Sequence, residues 1–88
     1  MRTIWKYELE IADEAQKFRM PEGARLIFEA TQQGSPCLWA EVDPEAPLVE
    51  RWFVVHGTGH DIDHDGDYVG SGLALGGQFV WHVYEVTP

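Results

Sequence analysis

The chain has 88 residues, enough for one domain and one modest core, and its single cysteine, Cys37, excludes an internal disulfide framework and a cysteine-based zinc site. Fifteen acids against six bases give a formal charge of −9, and every Lys and Arg lies at or before Arg51. The second half therefore projects a negative field, which disfavours direct contact with nucleic-acid phosphates and favours cations or a basic protein surface. No apolar run is long enough for a signal peptide or a membrane span, so a cytoplasmic location is expected.

In chain order, residues 3–11 alternate, with Trp5, Tyr7, Leu9 and Ile11 on one face and Lys6, Glu8 and Glu10 on the other. That is a half-buried strand. Ala12 to Ala15 turns the chain, and Gln16 to Met20 forms a shorter strand before the turn Pro21-Glu22-Gly23. Residues 24–31 and 36–42 read as a hairpin. Pairing Ala30 with Leu38, Phe28 with Ala40 and Leu26 with Val42 keeps apolar groups together and predicts a three-residue connection, Gln33-Gly34-Ser35. Trp39 then faces away from Leu38 and Ala40. It forms either an interface anchor with Ile27 and Cys37 or part of a second core layer. Cys37 itself is expected to be an inert thiol.

Two prolines, Pro44 and Pro47, make the next segment a loop. Residues 48–56 resume a strand whose centre, Trp52-Phe53-Val54-Val55, is apolar on both faces, as in a central strand covered on both sides. A weaker strand follows from Tyr68 towards Leu75. Gly76-Gly77 marks a turn, and Gln78 to Val86 forms the last strand. Six or seven short antiparallel strands with regular turn signals predict a single all-β domain over residues 1–88, a sandwich or small barrel. Homo-oligomerisation is a second way for so small a domain to cover apolar surface.

The stretch from His56 to Asp67 carries the chemistry, with three of the four histidines and four of the six aspartates. Polar, glycine-containing loops on a rigid scaffold are where binding residues gather. Gly57-Thr58-Gly59-His60 exposes successive backbone N–H groups after a strand, as an anion-holding nest does, or simply forms a bulge. Asp61-x-Asp63-x-Asp65-Gly66 matches the opening of a calcium loop, but Gly72 stands where the bidentate Glu belongs. His56, His60 and His64 recur every four residues, a spacing that gathers transition-metal ligands on a helix and loses that meaning in a glycine-rich loop. Ser35 and Ser71 fall in predicted turns without a companion base, so no catalytic residue is expected.

Ile4-Trp5-Lys6-Tyr7, Met20-Pro21-x-Gly23-Ala24, Pro36-Cys37-Leu38-Trp39-Ala40-x-Val42-Asp43-Pro44 and Gly57-Thr58-Gly59-His60 together resemble an uncharacterised family of small proteins encoded mostly by tailed bacteriophages and prophages. The resemblance implies an accessory binding role and carries over no catalytic residue. The expectation is a non-enzymatic domain that binds a basic protein or a small ligand through His56, Gly57, Thr58, Gly59, His60 and Trp39. The alternative is a metal-binding protein, structural or hydrolytic, with calcium or a transition metal held by Asp61, Asp63, His64 and Asp65.

Overall fold

The computed structural model describes residues 1–87. Seven strands follow in order: β1 (Thr3–Glu8), β2 (Gln16–Pro21), β3 (Arg25–Gln32), β4 (Ser35–Val42), β5 (Leu48–Gly57), β6 (Gly66–Ala74) and β7 (Phe79–Val86). They form two antiparallel sheets, one ordered β1-β4-β3 and the other β2-β5-β7-β6. The sheets pack face to face, as the alternating pattern predicts. Leu38, Ala40 and Val42 of β4 meet Phe53 and Val55 of β5, with Trp81 and Val83 of β7, in one core that also takes in Leu9 and Met20. Strand β5 lies between β2 and β7, and Val54 on its outer face is as buried as Phe53 and Val55 on its inner face, as its doubly apolar centre requires.

Trp81 is the largest fully buried side chain. Its indole N–H donates to Thr31 Oγ1 at 2.7 Å, and that hydroxyl donates to the Leu73 carbonyl. This polar bridge ties β7 and β6 of one sheet to β3 of the other. The indole lies flat against Gly72, where any Cβ would overlap its Cζ2, so only glycine fits there. At the far end of the core, Arg51 donates twice to Glu85, at 2.7 and 2.8 Å, and once to the Ala24 carbonyl at 2.7 Å. That fork holds the turn before β3 onto the four-stranded sheet.

The β3–β4 hairpin departs from its expected register. Gln32 pairs with Ser35, leaving a two-residue turn, Gln33-Gly34, with φ of 52° and 84°. Two positive φ angles fit the twist of the strands they join. A bulge at Ile27 then restores Leu26 to the inner face opposite Ala40, whereas Phe28 and Ala30 sit opposite Trp39 and Cys37 on the outer face. An unbroken alternation cannot anticipate such a one-residue shift.

Candidate functional site

The outer face of the four-stranded sheet holds all four histidines. His56 and His82 are register partners on β5 and β7, and Val54 and Tyr84 are the next outward pair. Residues 58–65 leave β5, fold back over this face and return as β6. Gly57 is buried at the exit, where a Cβ would press against the Phe79 ring at 3.0 Å and the His60 ring at 3.1 Å. Gly59, at φ 90°, makes the turn.

Three side chains tether the loop to its surroundings, and each tether runs through an imidazole. Thr58 Oγ1 lies 3.0 Å from His82 Nε2. His60 Nδ1 lies 3.0 Å from Asp13 Oδ1. His64 Nε2 lies 2.8 Å from His56 Nε2. The last pair is geometrically specific. The rings are 14° from coplanar with centres 5.1 Å apart, which is the N–N distance plus one ring radius at each end. They therefore meet edge to edge along one line, as an N–H···N hydrogen bond requires.

Asp13 is the member that sequence reading missed; it looked like an ordinary turn residue. Its Oδ1 accepts from His60 and, at 3.3 Å, from His56 Nδ1. Those hydrogen bonds, His60's first and His56's second, hold its carboxyl below the ordinary carboxylate range. The contacts also settle the tautomers. A carboxylate only accepts, so His56 carries its hydrogen on Nδ1 and offers a bare Nε2 to the N–H of His64. His64 Nδ1 is then bare, and it is buried without a partner.

A second chain of polar contacts crosses the same face. Tyr68 OH donates to Ser71 Oγ at 2.6 Å, and Ser71 Oγ donates to His82 Nδ1 at 2.8 Å. His82 Nε2–H then donates to Thr58, whose own hydrogen turns to the Val80 carbonyl at 3.4 Å. Ser71 is thus inside β6 beside a base, and not in a turn as its flanking glycines suggested. A bulge at Val69 puts Tyr68 and Ser71 on one face; three residues apart in a regular strand, they would point opposite ways.

Asp13, His56, Gly59, His60, Asp61 and Asp63 line a cleft of about 450 Å³. His56, His60, Ile62, His82 and Tyr84, with the Gly57-Thr58-Gly59 backbone, line a smaller one of about 230 Å³. Asp65 is exposed and outside both linings. Among the described residues, no three His, Cys, Asp or Glu side chains are grouped to hold a metal ion. The Nε2 atoms of His56 and His64 face each other 2.8 Å apart, which leaves no room between them for an ion at the ~2.0–2.1 Å of a metal–imidazole bond.

Trp39 does not belong to this group. It lies on the outer face of the other sheet, half-buried against Phe28 with ring centres 5.5 Å apart. The sandwich separates it from the loop. Cys37, on the same outer face, is buried, and burial pushes its thiol pKa up, as an inert cysteine requires.

A family match covers residues 1–88, to a domain of unknown function, DUF7352. The chain belongs to the DUF7352 family. No curated protein and no solved structure matches it. No described helix is long and apolar enough to cross a membrane.

Proposed function

We propose that this DUF7352 chain is a non-enzymatic binding module that captures a basic segment of a protein partner beside the 56–67 loop. The observation that carries this reading is the larger cleft. Asp13, Asp61 and Asp63 line it, and no Lys or Arg does among the described residues. Four of the chain's six cations are engaged elsewhere: Arg51 with Glu85, Arg2 and Arg25 with Glu41, and Lys17 with Glu50. A lysine or arginine head entering this cleft meets three carboxylates, of which Asp13 is already bonded to His60 and His56.

A protein segment fits better than a free small molecule. The 450 Å³ cleft is lined mostly by exposed residues, Asp13, Gly59, His60, Asp61 and Asp63, and so lies open to a partner's surface instead of enclosing a ligand. The likeness to small phage and prophage proteins supports a host or phage protein as the partner, host-defence components included.

The test is paired capture from bacterial lysate with the wild-type chain and the double variant Asp61→Asn/Asp63→Asn. A basic protein held by the first, lost by the second and released by raised salt supports the reading. Equal recovery on both baits, or none on either at low salt, removes it.

A further inference from the structure

The hydrogen-bond arithmetic of the His56–His64 pair has no place for another proton while the loop is down. His56 Nδ1–H is committed to Asp13, and the single hydrogen between the two Nε2 atoms is shared within the pair. A proton added to the pair ends on His64 Nδ1. If the shared hydrogen crosses to His56, His64 still keeps its own on Nδ1. That atom is sealed from water and has no partner. It lies beside Gly66 at the start of β6, where an added Cβ would stand 3.3 Å from it. A buried N–H without an acceptor is unfavourable, and more so when the ring is charged.

We propose that residues 61–65 form a proton-operated latch: uptake of one proton by the His56–His64 pair lifts His64 off the sheet and opens this half of the loop. The surroundings favour movement of that half alone. Thr58 stays tied, because a charged His82 still donates to it. His60 stays tied, because its protonation strengthens its bond to Asp13. Once lifted, the His64 imidazolium sits among Asp61, Asp63 and Asp65, where its charge is welcome. Facing the pair from the sheet are Tyr84 at 5.6 and 6.1 Å and the neighbouring His82. From the β1–β2 turn comes Asp13. From β2 the outward cations are Lys17, which is held by Glu50 over the Trp52 ring, and Arg19, the register partner of Glu50. None of these offers an acceptor to His64 Nδ1. The latch itself does not depend on the binding reading above; it states how the loop that borders the cleft changes shape.

The experiment is an NMR titration of the intact chain from pH 8 to 5 in buffer containing EDTA, following imidazole ¹⁵N shifts, NOEs between the His64 and Tyr84 rings, and the ¹H–¹⁵N heteronuclear NOE of the loop amides. At pH 8 His64 should be the Nε2–H tautomer. As it takes up its proton, its NOEs to Tyr84 should be lost and the heteronuclear NOE of residues 61–65 should fall, with residues 35–42 of β4 unchanged. In His64→Phe, which keeps a ring against Tyr84 but cannot titrate, the heteronuclear NOE over 61–65 should lose that pH step. Should His64→Phe fold poorly, His56→Asn serves instead, because it removes the shared N–H···N bond. An Nδ1–H tautomer at pH 8, or protonation of His64 with no change at 61–65, overturns the proposal. No partner protein enters the measurement, so failure of the binding reading would leave this result unaffected.

Discussion

The two outer faces of this sandwich share one core and differ in what covers them. The face of the three-stranded sheet carries Trp39, Phe28 and Cys37, with Lys6 reaching Gln32 at its edge. Among the described residues its side chains make few polar contacts. The face of the four-stranded sheet carries more rings, and its four imidazoles and the Tyr68 phenol are joined in two hydrogen-bonded chains beneath a returning loop. What distinguishes it is a connection that doubles back, so that residues from the β1–β2 turn, β5, the loop, β6 and β7 converge.

Perturbing the shared core should affect both faces at once, with the largest effect. Trp81→Ala empties the centre and removes the donor to Thr31; it should cost about 3–5 kcal/mol in urea unfolding, with both faces losing amide protection together. Gly72→Ala drives a methyl into the same indole and should cost about 1–3 kcal/mol. If Gly72→Ala were as stable as wild type, the close approach of Trp81 to that strand would be wrong.

The comparison sharpens with changes confined to one side. Asp13→Asn should remove an acid-sensitive element from the loop face only. Because hydrogen bonds depress the folded pKa of Asp13, its contribution is fully present above its ordinary value of 3.8 and is lost as pH falls through the lower folded value. Thermal melting of wild type should therefore decline more steeply below about pH 4 than that of Asp13→Asn. Parallel profiles would mean that the Asp13–His60 contact is not maintained in solution. The smallest effect belongs to Trp39→Ala, which trims a half-buried ring and should cost no more than about 1–2 kcal/mol. It should leave partner capture unchanged; a loss of capture would move the binding surface to the opposite sheet.

Much of the architecture was readable from alternation. Period-two patterning interrupted by glycine and proline gives six or seven strands, a central β5 and a loop from His56 to Asp67; the structure has seven strands and trims that loop to 58–65. What alternation could not show traces to two extra residues. The bulge at Ile27 turned Phe28 outward, and the bulge at Val69 brought Tyr68 and Ser71 to one side. Both sit in strands whose regular pattern continues past the insertion, so residue types alone carry no warning. Asp13 escaped for another reason. Its partners are 43 and 47 residues away, and a carboxylate in a turn has no local signature of a long-range role. The histidines were correctly singled out, but the four-residue spacing was incidental. What joins His56 to His64 is a chain reversal.

The bridge from Trp81 through Thr31 to Leu73 bears on self-assembly. It draws β3 and β6, the terminal strands on one side of the two sheets, against each other, and Glu29 lies over Gly70 in the same seam. Neither can readily recruit a strand from another molecule. On the opposite flank, β2 presents Lys17 and Arg19 and ends at Pro21, features that discourage fibre-like addition. One flank of the sandwich is thus guarded against ribbon growth by closure, and on the other flank β2 is guarded by charge and proline, which leaves β1, with Ile4 and Trp5 exposed, as the edge where strand addition would begin.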